Sequence, residues 1–147
     1  MTELALPQID RTTVSKKSLI VSQLKKFTNE ENVLSENEEI KPYETDGLAA
    51  YKQTPLAVVL PENTKEVSEI LKFCNEENIK VIPRGAGTGL SGGALPLQDA
   101  ILLGLGKFNK ILEIDFDNKC VVTQPGVTNL GITHAVQHKG YYYAPDP

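Results

Sequence analysis

Pro83-Arg84-Gly85-Ala86-Gly87-Thr88-Gly89-Leu90-Ser91-Gly92-Gly93-Ala94 is the stretch on which the reading of this chain turns. Five of the ten residues from Arg84 to Gly93 are glycine. Successive glycines permit positive φ and remove side-chain bulk. Backbone N–H groups can then converge on an anion as a nest. Thr88 and Ser91 add hydroxyls, and Arg84 brings a charge that suits either a phosphate or a nearby acid. The string Gly87-x-Gly89-x-x-Gly92 matches a dinucleotide fingerprint, with Asp115 downstream, but that fingerprint must open a helix. Gly92, Gly93 and Pro96 forbid a helix here, and the next element reads as a strand. A P-loop fails too, because no Gly-Lys-Ser/Thr follows. Two readings stay open on these residues: a glycine-rich connection that only turns, and a strand-to-loop nest for a phosphate-bearing ligand.

Working outward, Lys80–Pro83 reads as the strand that feeds the loop. Ahead of it, Ala57–Leu60 is a short apolar run consistent with a buried strand, ended by Pro61. Asn63 followed by Glu66 resembles a capping box. Val67, Ile70, Leu71 and Cys74 then recur with helical spacing, and Asn75–Asn78 closes that helix. Beyond the loop, Ile101–Leu103, Ile111–Ile114 and Cys120–Thr123 read as three more strands. Asp115–Asn118 turns the last two into a hairpin. Thr128–Lys139 is predicted to be a helix, with Ile132, Ala135 and Val136 inward and Gly140 as its stop. The order is β-α-β, loop, β-β-β, α, an α+β arrangement whose first βαβ unit is expected to be parallel and right-handed. Residues 1–50 differ in character. Ile20, Leu24 and Phe27 suggest one amphipathic helix, followed by an acidic stretch and a loop, so 1–50 reads as a helical arm on a domain spanning 51–147.

The chain has 147 residues, 15 basic and 19 acidic, with net charge −4. This balance argues against nucleic acid or an anionic membrane as the main partner. No apolar run approaches the roughly 18 residues of a membrane-spanning helix, and the first residues do not form a secretory signal. Cys74 and Cys120, with no CxxC, exclude a Cys-only zinc site; one disulfide is arithmetically open, and two reduced thiols of a cytoplasmic protein is the favoured reading. His134 and His138 have zinc-like i, i+4 spacing, but no Glu lies between them as in HExxH and no third ligand is evident, so no metal is assigned. Tyr141–Tyr143 reads as packing, and Cys74 as inert core. No nucleophile–base pair or carboxylate dyad stands out, and no catalytic residue is named.

Five segments together resemble one family. They are Pro42–Gly47, Pro55–Pro61, Pro83–Ala94, Gln124–Val127 and Tyr142–Pro147, in that order. The run from Tyr43 to Pro147 is similar to the N-terminal part of the FAD-dependent oxidases of the vanillyl-alcohol oxidase and p-cresol methylhydroxylase type, closest to the branch of the glycolate oxidase FAD subunit and D-lactate dehydrogenases. The resemblance implies a partial PCMH-type FAD-binding fold: a βαβ unit, a small mixed sheet and an N-terminal helical arm. It implies that Arg84, Gly85, Ala86, Gly87, Thr88, Gly89, Leu90 and Ser91 lie on the FAD pyrophosphate, with Gly126, Pro145 and Asp146 as further contacts. Some relatives attach flavin through a histidine near this loop. None lies between Arg84 and Gly93, so FAD is expected to be non-covalent.

By the same resemblance the whole enzyme is expected to oxidise a small 2-hydroxy acid, glycolate or D-lactate, to the 2-oxo acid, passing hydride to FAD. Electrons would continue to an iron–sulfur or second flavin-type partner subunit or a quinone, with the protein cytoplasmic or peripheral to the inner membrane. The family's second FAD segment, substrate domain and catalytic histidines are not found in these residues, so the chain reads as an N-terminal fragment. The alternative is a non-catalytic truncated remnant that binds FAD weakly or not at all. A third reading, another enzyme of the same fold such as a sugar-nucleotide reductase, is disfavoured by Asp46-Gly47-Leu48 and Leu90-Ser91-Gly92-Gly93.

Overall fold

The computed structural model describes residues 7–145. Its centre is a four-stranded mixed sheet in the order β1-β2-β4-β3. These strands are β1 (Val33–Leu34), β2 (Ala57–Val59), β3 (Lys80–Arg84) and β4 (Ala100–Gly104). β2 and β3 both run parallel to β4, and β1 is antiparallel to β2. The expected β-α-β order is therefore present, but β4 lies between the two strands of the first βαβ unit. A two-stranded antiparallel hairpin, β5 (Ile111–Asp115) and β6 (Cys120–Thr123), forms a second sheet.

β4 is buried at every residue and β2 likewise. Continuous apolar runs suit parallel strands covered on both faces. Successive side chains point to opposite faces, and the two core clusters follow that alternation. Ala57, Val59, Ile101 and Leu103 pack with Ile20, Leu24, Ile70, Cys74 and Ile79. Val58 and Leu102 pack on the other face with Ile40, Leu34 and Tyr43. Each fully buried Leu or Ile contributes about 1.5–3 kcal/mol relative to exposure. Pro83 sits within β3, where it is tolerated because β3 is an edge strand.

The helix after β2 is α4 (Thr64–Glu76), which follows α1 (Arg11–Ser15), α2 (Lys17–Leu24) and α3 (Asn37–Ile40). Asn63 caps α4 by accepting from the Glu66 N–H at 3.1 Å. Asn78 closes it at φ 54, with Ile79 N–H donating to the Cys74 carbonyl and Asn78 N–H to the Asn75 carbonyl. This is a Schellman ending with asparagine in the left-handed position. Ile70 and Cys74 are buried as expected, but Leu71 is 43% exposed, and Phe73 instead meets Phe27. Phe73, bulkier than Leu71, is the side chain packed against the core. Burial pushes the Cys74 thiol up to about 11, which suits inert core.

Two elements of the N-terminal region lie where only polar sequence and a loop were expected: β1 and α3. α3 carries a capping box between Glu36 and Glu39, and a 3-10 turn, Lys41–Tyr43, follows. The last helix, α5 (Asn129–Val136), is capped by Thr128 and tightens to a 3-10 turn over Gln137–Lys139 before Gly140 at φ 78. It is thus shorter as an α-helix than the spacing predicts.

The N-terminus of the fold is tied to β4 by Asp99. This residue is 2% exposed and accepts the Asp10 N–H and the Lys80 ammonium, both at 2.7 Å. Burial alone would raise its carboxyl, but these donors together hold it below the ordinary value of 3.8. A depressed folded value means the stabilisation is present above the unfolded value and is lost as pH falls through the folded one. Asp99→Asn is expected to lower stability at pH 7 by roughly 1–2 kcal/mol and by less at about pH 3. Denaturant unfolding at the two pH values measures this, and an equal loss at both would count against the pairing.

Candidate functional site

The glycine loop leaves β3 at Arg84 and re-enters regular structure only at β4. No helix opens within it, in line with rejecting the dinucleotide fingerprint. Among the described residues, no backbone N–H from Gly85 to Gly93 donates to another group of the chain. The stretch from Gly85 to Gly93 is exposed apart from Gly87 and Gly92. A row of unpaired N–H groups on a side-chain-poor loop leaves donors that an anion could take.

Its glycines are there for different reasons. Gly87 has φ 73, and a Cβ there would meet the Arg84 guanidinium, with Nε at 2.6 Å. The fold itself requires that glycine. Gly85, Gly89 and Gly93 have no positive φ, and a Cβ on any of them would meet nothing within 4 Å. Nothing among the described residues demands glycine at those three positions. A bare Cα facing open space is what a ligand approaching the backbone closely would need.

Arg84 does not extend freely to the rim. Its Nη1 donates to the Thr45 carbonyl at 2.6 Å, and its guanidinium lies over the Tyr43 ring at 5.7 Å from the centroid. The neighbouring segment meets the loop at further points. Asp46, 5% exposed, accepts the Ala94 N–H at 3.3 Å and the Leu48 N–H at 2.9 Å. A Cβ on Gly47 would lie 2.5 Å from the Thr88 carbonyl oxygen and 2.8 Å from that of Gly89. Asp46 and Gly47 were not among the expected site residues. Their only signal was membership of the Pro42–Gly47 motif, since periodicity says nothing of an isolated buried aspartate in a loop.

Gly126 belongs to a turn after β6. Its N–H donates to the Phe108 carbonyl at 2.8 Å, and a Cβ would collide with the Leu105 and Phe108 carbonyl oxygens. Leu105 N–H in turn donates to the Arg84 carbonyl at 2.9 Å. The Gly126 turn is thus linked through Leu105–Phe108 to the base of the glycine loop. The Pro145 carbonyl accepts from Asn129 Nδ2 at 2.9 Å, beside the start of α5. Asp146 lies outside the described residues.

The remaining candidates take structural positions. His138 falls in the 3-10 turn, out of α-helical register with His134, and lies edge-on to Phe116 at 6.0 Å. Among the described residues no group of three or more His, Cys, Asp or Glu could hold a metal ion. Tyr141 packs on Phe116 at 5.8 Å. A cavity of about 340 Å³ lies between the hairpin and α5, walled by Ile114, Val121, Ile132, Val136 and Tyr141. Its lining is mostly apolar and offers no array of donors for a phosphate. Asn118 N–H and side chain hold the Asp115 carboxyl below its ordinary value, so that carboxylate serves the hairpin turn.

Comparison with known proteins follows the same residues. The sequence profile of the FAD binding domain family matches residues 55–147. Glycolate oxidase subunit GlcD of Escherichia coli is 46% identical over 143 residues, 97% of this chain and 28% of that protein. D-lactate dehydrogenase of Archaeoglobus fulgidus is 46% identical over 90 residues, 61% of this chain and 20% of that protein. Among solved structures, p-cresol methylhydroxylase with substrate bound superposes with a TM-score of 0.75 at 26% identity, covering 93% of this chain and 27% of that one. The chain therefore spans under a third of the length of these relatives.

The two kinds of glycine are separable by substitution. Gly87→Ala is expected to cost about 1–2 kcal/mol through backbone strain and displacement of Arg84. Gly126→Ala is expected to cost about 1–3 kcal/mol through overpacking, whereas Gly89→Ala should stay within about 0.5 kcal/mol. Thermal unfolding of the three variants without ligand makes the comparison, and a Gly89→Ala loss as large as that of Gly87→Ala would remove the distinction.

Proposed function

The chain belongs to the FAD binding domain family, and from that premise we propose that its glycine loop holds the pyrophosphate of a non-covalently bound FAD in a flavin-dependent 2-hydroxy acid dehydrogenase. The observation that carries the reading is the row of free N–H groups from Gly85 to Gly93, combined with open space at Gly85, Gly89 and Gly93. An FAD pyrophosphate fits this donor set, which is neutral, backbone-derived and unobstructed by side chains. Gly85, Ala86, Gly87, Thr88, Gly89, Leu90 and Ser91 would face the phosphates, with Arg84 beneath them. Gly126, Pro145 and Asp146 are proposed as contacts further along the cofactor. The absence of histidine from Arg84–Gly93 supports non-covalent attachment.

When bound, FAD supplies the hydride-accepting chemistry. This chain's residues bind and orient it. Backbone N–H groups offset the phosphate charge, and the glycines let those groups come close. No catalytic base is assigned within these residues. Glycolate and D-lactate, the acids in the names of the relatives, are both small 2-hydroxy acids, which supports that substrate class for the whole enzyme. The name of the glycolate oxidase relative, a subunit, supports partner subunits, of which an iron–sulfur protein or second flavin subunit is proposed. No helix among the described residues is long and apolar enough to cross a membrane. Within the chain, 51–147 is proposed as the cofactor-binding portion, with 1–50 packing on it and adding β1 to its sheet.

A second reading is favoured by one feature. Leu112, Val122 and Leu130 are 61%, 46% and 62% exposed on the hairpin and α5. Apolar side chains left this exposed fit a chain that folds yet holds FAD weakly or not at all. Absorbance after loading with FAD and gel filtration decides between them. A retained flavin band that Gly89→Trp reduces at least about tenfold supports the pyrophosphate site. A colourless protein supports the second reading.

A further inference from the structure

We propose that Tyr43–Leu48, which precedes the span matched by the family profile, is the template that sets the glycine loop in its binding shape before FAD arrives, with Arg84 as a positioning residue rather than a phosphate ligand. The inference rests on the reading that this loop receives the FAD pyrophosphate. An unsupported loop with five glycines would sample many conformations, and ordering each residue on binding costs conformational entropy. A loop held beforehand avoids much of that cost.

The holding contacts are all on one side. Arg84 leaves β3 and turns under the loop, where its guanidinium touches Gly87, covers the Tyr43 ring and donates to the Thr45 carbonyl. Asp46 takes the Ala94 N–H at the far end of the loop, and its other oxygen takes the Leu48 N–H. Gly47 lies directly against the Thr88 and Gly89 carbonyls, where any side chain would push the loop away. These contacts use carbonyls and Cα atoms of the loop together with one terminal N–H. They leave the N–H groups from Gly85 to Gly93 free. The loop is thus held without use of those N–H groups, which stay available to a ligand. With its guanidinium already engaged by a carbonyl and an aromatic face, Arg84 contributes positive potential from below.

The two roles for Arg84 predict different responses to a change at Tyr43. Tyr43 also packs against the Ile40, Val58 and Leu102 cluster, so Tyr43→Leu keeps an apolar side chain there while removing the ring under the guanidinium. Arg84→Lys keeps the charge but loses the planar fork. Both are made in the full chain, singly and together. Backbone 15N order parameters of Gly85–Leu90 are measured without FAD, and FAD affinity is measured by flavin fluorescence.

In the cofactor-free wild type these amides are expected near the rigid value of about 0.85, falling towards about 0.6 in either variant, with β2 and β4 unchanged. Each single variant is expected to weaken FAD binding about tenfold. The double variant should be far short of the hundredfold that independent effects would produce, because both substitutions break one clamp. Unchanged order in Tyr43→Leu overturns the proposal, whatever happens to FAD. Lower order with FAD affinity within about twofold of wild type also overturns it, as does full additivity. A wild-type chain that takes up no FAD sinks the pyrophosphate reading and this cofactor role with it, while the order parameters still report whether the clamp exists.

Discussion

Covering both faces of β4 is the constraint on which the rest of this structure depends. A parallel strand with a continuous apolar run cannot leave either face to water. One face is closed by α4 and α2, and the other by Ile40 and Tyr43 with Leu34. The second closure has a consequence for the site. Burying Ile40 and Tyr43 against Val58 and Leu102 delivers the next residues, Thr45–Leu48, to the end of β3 where the glycine loop begins. Core packing and site geometry are one event here, and the acidic N-terminal region takes part in both.

The legible parts of the fold were those with short-range physics. The α4 cap is decided by Asn63 and Glu66, three residues apart. The hairpin turn is decided by Asp115 and Asn118, at the same separation. β2, β3 and β4 announce themselves as apolar runs between turn residues. What was not legible depends on distant partners. β1 is two residues, Val33 and Leu34, inside a polar stretch, and it is a strand only because β2 offers its edge. The side of α4 that carries Leu71 faces out because Phe27, far away in sequence, claims Phe73. That β4 would insert between β2 and β3 follows from the whole sheet and from no single segment.

The site was legible to a similar depth. A glycine-rich loop without a following helix marked the place, and its residues stand together as a loop open to solvent. The roles within it were hidden, because glycine looks alike wherever it occurs. Structure divides the glycines into those the fold needs, such as Gly87, Gly47 and Gly126, and those it does not, Gly85, Gly89 and Gly93. Arg84 shows the opposite case. Its charge suited either a phosphate or a nearby acid, and in the structure its guanidinium engages the Thr45 carbonyl and the Tyr43 ring.

Electrostatics makes this division of labour intelligible. The chain carries net charge −4, and a pyrophosphate adds more negative charge to it. Surface charges beyond about 8–10 Å are screened at physiological salt, so the overall repulsion is weak at the loop and local donors decide. A lysine or arginine reaching out from the rim would lose side-chain entropy on binding, at up to about 2 kcal/mol. Backbone N–H groups held by a fixed template need little such ordering, and a guanidinium fixed beneath them has already undergone it during folding. On the proposed site, losing that entropy when Tyr43 packs against the Ile40, Val58 and Leu102 cluster, instead of when a cofactor binds, would link the N-terminal segment to cofactor affinity without requiring it to touch the cofactor.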